Sequence, residues 1–157
     1  MSSFPQFPRV AARNLQGLDV SLPDAFTGRR NIVLVAFHRD QQRLVDSWLP
    51  WFESEAADDP DLRFYEVPTI ARIWAPARRF IDGGMAAAIK VPAVLQRTMT
   101  VYGDVSRVTG PLGLRDSSTV AVVFVDDEGL VRWKGRGGLT DETAASLRDA
   151  LETHRTL

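Results

Sequence analysis

Ile32-Val33-Leu34-Val35-Ala36-Phe37 is an unbroken apolar run, and Gly28 punctuates the chain just ahead of it. A run of this kind, opening at Asn31, suits a central strand covered on both faces. From Asp40 to about Ala57 the period changes. Leu44, Trp48, Trp51 and Phe52 fall at helical spacing, with Asp40 placed as an N-cap. Pro50 within that stretch predicts a kink, because it lacks an N–H and its ring meets the carbonyl one turn back. Asp58-Asp59-Pro60-Asp61 breaks the helix, and Leu62 to Val67 resumes strand character. Strand, helix and strand in this order predict a parallel pair joined by a right-handed crossover.

Working outward, Met1 to Pro8 holds two Phe-Pro steps and reads as an extended arm. Val10 to Asn14 and Leu18 to Leu22 alternate around Gln16-Gly17, the pattern of a hairpin. On the far side, Thr69 to Asp82 and Met85 to Thr98 read as two helices hinged at Gly83-Gly84, the second interrupted at Pro92. Met99 to Tyr102 reads as a strand and Ser106 to Leu114 as a short, glycine-interrupted helix. Thr119 to Val125 and Leu130 to Trp133 are strands around the turn Asp126-Asp127-Glu128-Gly129. Thr140 then caps a last helix whose first turn carries Asp141 and Glu142, where the dipole favours carboxylates. Its buried stripe is Ala144, Leu147 and Leu151.

The 157 residues fit one domain, and a chain of this length buries roughly 68–70% of its unfolded surface. With 19 basic and 20 acidic residues, nothing draws it toward nucleic acid or an anionic membrane. No apolar run approaches a membrane span and no signal-peptide pattern precedes residue 32, so the expected location is the cytoplasm. The absence of cysteine removes disulfides, thiolate metal sites and every cysteine nucleophile. Two histidines, His38 and His154, cannot build a histidine cluster, so neither metal nor cofactor is expected.

The segment Leu15-Gln16-Gly17-Leu18-Asp19-Val20-Ser21-Leu22 followed by Arg30 to Phe37 resembles the opening of peroxiredoxin-type thioredoxin-fold proteins. Thr119 to Asp126 followed by Asp127 to Trp133 resembles their closing hairpin, while the middle of the chain matches less well. The resemblance implies an α/β fold: a three-layer sandwich with a mixed central sheet, an N-terminal hairpin and a helical insertion at 70–98. Counted from Phe37, the two cysteine positions of thioredoxins fall on Gln42 and Val45, and their kinking proline on Pro50. The register is met and both cysteines are missing. Glutamine supplies no low-pKa nucleophile, so thiol oxidoreductase and peroxidase activity are not expected. Where that family has a cis-proline before the closing strand, this chain has Ser118-Thr119.

Within the fold, the chain resembles the mitochondrial ATP-synthase assembly-factor family and bacterial proteins like it. The resemblance lies in the strand leading to Phe37, in Val45-Asp46-Ser47-Trp48, in Arg63-Phe64-Tyr65-Glu66-Val67 and in Val131-Arg132-Trp133-Lys134-Gly135-Arg136-Gly137. It implies a folding or assembly role exerted on another protein, without catalysis; the expected partner is another protein or a second copy of this chain.

The residues also allow another reading. In open α/β sheets, ligands bind beyond the carboxyl ends of the strands. His38, Arg39, Asp40, Gln41 and Gln42 lie there, with Ser117, Ser118 and Thr119 expected to face them. This crevice would suit a small polar or anionic ligand held by Arg39 and helix N–H groups. Histidine, acid and hydroxyls together also suggest Ser–His–Asp chemistry, but no nucleophile-elbow glycines flank Ser117 or Ser118 and Asp40 suffices as a cap. Asp126, Asp127 and Glu128 form a turn rather than a calcium loop, whose ligand spacing is absent. Finally, the 70–98 insertion places Trp74 and Met85 with Arg72, Arg78 and Arg79, the aromatic–arginine mixture that interface cores favour.

Overall fold

The computed structural model describes residues 4–71, 97–103 and 105–156. Its strands are β1 (Val10–Asn14), β2 (Asp19–Leu22), β3 (Arg30–Ala36), β4 (Leu62–Ala71), β5 (Met99–Gly103), β6 (Ala121–Asp126) and β7 (Val131–Arg136). A 3-10 turn at Arg39–Gln41 leads into α1 (Gln42–Ala57); α2 (Ser106–Thr109) and α3 (Asp141–Arg155) follow later in the chain. The strands form one seven-stranded mixed sheet in the order β2-β1-β5-β4-β3-β6-β7. The apolar run at 32–37 is central in it, parallel to β4 and antiparallel to β6. This is the thioredoxin-like architecture that the resemblance implied.

Side chains that alternate along each strand divide the core in two. Ile32 and Leu34 of β3 join Phe64, Val122 and Phe124 on one face, against Val45, Trp48 and Phe52 of α1 and Leu147 and Leu151 of α3. Val33 and Val35 join Tyr65, Val67, Val123 and Val125 on the other, against Phe7, Phe26, Val108 and Leu112. Each fully buried Val, Leu, Ile or Phe stabilises by about 1.5–3 kcal/mol relative to exposure. A central strand with both faces covered is therefore apolar on both faces, which is why β3 reads without alternation from Ile32 onward.

The arm is extended as expected, and it is tied down. Phe7 N donates to Gly129 O at 2.8 Å and Val131 N donates to Pro5 O at 2.7 Å, so the arm lies along the β6–β7 hairpin. Phe7 itself is fully buried, edge-on to Phe26. Gly129, the last residue of the hairpin turn, has φ +83 and lies close enough to Gln6 that a Cβ would fall 2.7 Å from its side chain. The positive φ is what calls for glycine here, since the Gln6 side chain could swing aside.

Several boundaries differ from the sequence reading. Thr69 opens no helix: β4 continues to Ala71, where Thr69 and Ile70 pair with Val101 and Tyr102. Two β-branched residues beside a waiting strand edge follow the pairing rather than the helical period. Thr98 likewise forms an isolated bridge with Glu66 instead of ending a helix. α1 continues through Pro50 as a single helix, which the expected kink within it allows. The expected Ser106–Leu114 helix stops at Thr109, before Gly110-Pro111, and Gly113 sits at φ +68. Residues 72–96, which carry Arg72, Trp74, Arg78, Arg79, Met85 and the Gly83-Gly84 hinge, lie outside the described residues, so the interaction surface read from the insertion is neither placed nor displaced.

Thr140 caps α3 as expected, its Oγ1 accepting from Thr143 N at 3.1 Å. Thr140→Ala should cost about 1 kcal/mol. For a chain of this length that is a fall of about 2–4 °C in Tm, measurable by calorimetry.

Candidate functional site

At the carboxyl end of β3 the chain passes through buried Phe37 to His38, which is extended (φ −139, ψ 148) and starts the 3-10 turn. The turn is held by Gln41 rather than by Asp40. Gln41 is buried, and its Oε1 accepts from Phe37 N at 2.8 Å and His38 N at 3.2 Å. Its Nε2 donates to Ser117 O at 2.8 Å, so one amide ties the β3 end and the turn to the loop before β6. The longer Gln side chain folds back to amides that the short Asp40 carboxylate, exposed and pointing outward, does not reach.

His38 Nε2 lies 3.3 Å from Ser117 Oγ at the surface. Of the three residues expected to face it, Ser117 is the one that meets the histidine. Since β6 begins at Ala121 instead of Thr119, the preceding residues are free to form a turn of their own. In that turn Ser118 N and Oγ both donate to Asp116 Oδ1, at 2.9 and 2.6 Å. The Ser118 hydroxyl and N–H, helped by Arg136 and Arg115, hold the Asp116 carboxyl below the ordinary carboxylate range. Arg136, the last residue of β7, donates from Nη2 to Asp116 O at 3.1 Å and Thr119 O at 3.3 Å. Lys134 Nζ secures the earlier part of the loop by donating to Leu112 O at 3.0 Å.

The structure thus brings together His38, Gln41 and Ser117, and beside them Asp116, Ser118, Thr119 and Arg136. It does not bring in the others. Arg39 and Asp40 are exposed, and Gln42 turns along α1 to donate to Asp46 Oδ1 at 2.8 Å. Of the two thioredoxin cysteine positions, Gln42 is at the surface and Val45 is packed in the core. Sequence reading missed Asp116 and Arg136, which gain meaning only when β7 lies beside the 112–119 loop. The single cis peptide bond among the described residues is Leu22–Pro23, and none falls at Ser118–Thr119.

Chemically, a surface His–Ser pair binds polar groups more readily than it catalyses. A nucleophilic serine needs a group orienting its base and donors for the oxyanion. Here the amides of Phe37 and His38 are already taken by Gln41. Among the described residues no three His, Asp or Glu side chains form a metal-binding group. A cavity of about 470 Å³ opens elsewhere, at the start of β4 between Thr27, Leu62, Phe64, Tyr65 and Arg97, and neither His38 nor Ser118 lines it.

One further acid lies on the α1 side of the sheet. Glu66, level with Leu34 in β3, is half-buried, and burial raises its carboxyl above the ordinary value; Arg97 opposes the rise and Asp46 adds to it. A carboxyl raised on folding favours the native state below its unfolded pKa, and that advantage is lost as pH rises. Glu66→Gln should therefore raise Tm at pH 7 and leave it nearly unchanged at pH 4, as thermal melts at the two pH values would report.

No protein-family model and no curated protein matches the sequence. Solved structures do. The chain is similar to BsSco, a member of the Sco family of cytochrome c oxidase assembly proteins, with 12% identity, 96% and 95% of the two chains covered and TM-score 0.60. It is similar to the exposed lipoprotein thioredoxin Etrx1 of Streptococcus pneumoniae, with 12% identity, 92% and 98% covered and TM-score 0.57. The thioredoxin domain of a thiol-disulfide oxidoreductase from Bacteroides vulgatus matches with 18% identity, 95% and 97% covered and TM-score 0.55. At these identities the likeness is one of fold.

Proposed function

We propose that this chain is a redox-inactive thioredoxin-like protein that acts by binding another protein, in the manner of an assembly factor or chaperone, in the cytoplasm. The observation that carries the reading is the state of the thiol positions. The fold and the Phe37-to-Pro50 register are those of a thiol protein, yet Gln42 pairs with Asp46, Val45 is core, and the chain has no cysteine. A fold kept without its chemistry is useful as a binding scaffold. The resemblance to the ATP-synthase assembly-factor family supports the assembly role, as does a structural neighbour that is itself an assembly protein. The partner-facing residues proposed are Arg72, Trp74, Arg78, Arg79 and Met85.

The chain should reduce neither hydrogen peroxide nor the insulin disulfides above a no-protein control; turnover in either assay sinks the redox-inactive part. For the binding part, the tagged protein is captured from its native host beside Trp74→Ala/Arg78→Ala. A stoichiometric protein partner, or a dimer by light scattering, should be lost in the variant while circular dichroism is unchanged. A wild-type chain that stays alone and monomeric overturns it.

A second reading rests on the exposed His38–Ser117 pair, which with Arg136 and Asp116 makes a polar crevice for a small ligand. Nuclear magnetic resonance shifts at His38 and Ser117 on adding small anions, abolished by His38→Ala, would favour it.

A further inference from the structure

Asp59, in the turn between α1 and β4, is nearly buried at the end of the sheet opposite His38. Arg30 Nη2 reaches both its oxygens, at 3.1 and 2.9 Å, and Arg155 Nη2 reaches Oδ2 at 2.7 Å. One carboxylate thus binds the start of β3 to the last turn of α3. Next to Arg155 stands His154, itself buried and set edge-on to Phe124 with ring centroids 5.4 Å apart. Its Nδ1 is buried without a hydrogen-bond partner.

The charges around this imidazole come from every neighbouring element. Arg30 of β3 and Arg132 of β7 are cations, and Arg155 is the next residue of α3; Asp126 ends β6 and Asp127 is in the turn after it. Asp126 is already engaged. Its Oδ2 accepts from Arg132 Nε at 2.6 Å, and its Oδ1 accepts from Glu128 N and Leu130 N at 2.9 and 3.0 Å. Asp127 is exposed.

We propose that the last turn of α3 is an acid-released latch: a proton taken up by His154 adds a cation beside Arg30 and Arg132 and loosens the helix end that holds Arg155 on Asp59. Neutral imidazole needs only one donor–acceptor pair and sits well against Phe124; imidazolium carries a charge and a second N–H with no acceptor at Nδ1. Burial, then Arg132 and Arg30, keep the His154 pKa below 6.5, against the pull of Asp126 and Asp127. The unfolded or undocked helix therefore binds the proton more readily, so docking weakens as pH falls from 6.5 toward the folded value. Asp59 does not titrate in that window. Burial works against its charge, but the bonds from Arg155 and Arg30 outweigh it and hold its carboxyl below 3.8.

The test follows His154 and the amides of Leu151–Arg155 by nuclear magnetic resonance between pH 7.5 and 5, in wild type, His154→Phe and Arg132→Gln. In wild type, His154 should titrate below 6.5. Exchange of the last-turn amides, corrected for intrinsic rates, should rise as it does so, by about tenfold for each unit of depression. The β3 amides should stay protected. His154→Phe keeps the ring on Phe124 and should hold the last turn docked at pH 5. Arg132→Gln, which is read on the midpoint and does not depend on the Phe variant folding, should raise the His154 pKa. A midpoint at or above 6.5, wild-type exchange that ignores the titration, equal loosening in His154→Phe, or an unmoved midpoint in Arg132→Gln each overturns the latch.

Discussion

Asp59→Ala is expected to remove about 3–5 kcal/mol of stability, the usual cost of taking one partner from a buried ion pair. Typical domains have about 5–15 kcal/mol in total, so this one carboxylate decides whether the chain is folded at elevated temperature. The Arg30 side chain is 5% exposed, and without Asp59 its guanidinium keeps, among the described residues, only the ion pair with Asp61, 3.8 Å away and largely in solvent. Arg155 loses its tether as well, leaving Glu152 as its ion-pair partner. A surface pair provides the control. Arg9 and Asp24 are 3.7 Å apart and both more than two-thirds exposed, so Asp24→Ala should shift urea midpoints little. The sign with pH is set by the depressed carboxyl. Its stabilisation is present above the unfolded value of 3.8 and is lost as pH falls through the folded one, so wild type and Asp59→Ala should converge in strong acid. Urea denaturation followed by tryptophan fluorescence measures both. A loss below about 1 kcal/mol at pH 7 would mean that water reaches Arg30 and the node is a surface pair in energetic terms.

The residues that made the fold legible are those whose own period carries the information. Ile32 to Phe37 is apolar throughout because β3 is covered on both faces, and Thr140 with Asp141 and Glu142 is a local helix start. The turn Asp126–Gly129 is likewise local, its Asp126 Oδ1 capping the backbone of Glu128 and Leu130. What misled was decided at long range. Thr69 and Ile70 lengthen β4 because β5 lies alongside, and no window of sequence around them contains Val101. The candidate site was legible in part: His38, Gln41 and Ser117 do come together, through bonds set at long range. A side chain at 41 closing on a carbonyl at 117 replaced the expected Asp40 cap, and of the three residues expected to face His38 it is Ser117 that meets it. Asp58-Asp59-Pro60-Asp61 was readable as a break, but that one of its acids is the junction of Arg30 and Arg155 follows only from the tertiary fold.

Trp48→Ala should destabilise by about 3–5 kcal/mol from the volume it removes, the range for large aromatic truncations in a core. Trp48 is fully buried, stacked on Phe52 with centroids 5.3 Å apart and edge-on to Trp51 at 5.8 Å. Its indole Nε1 donates to Gly137 O at 3.0 Å, which joins α1 to the turn after β7, and the neighbouring Ser47 Oγ accepts from Leu139 N at 3.0 Å. The helix bearing the empty thiol positions is thus docked at two adjacent points onto the segment that leads to α3. Trp48→Phe separates the contributions. It keeps most of the ring against Phe52, so its cost should be well below that of Ala and should include about 1 kcal/mol for the indole bond lost from Gly137 O. Hydrogen exchange locates the damage. Amides of α1 and of 137–139 should lose protection together in Trp48→Ala, whereas the β3 amides, held from both sides, should open only with global unfolding. If Ala and Phe cost the same, the hydrogen bond rather than the packed ring fixes α1. If neither costs more than about 1 kcal/mol, α1 is held by its other contacts, Val45 and Phe52 first among them.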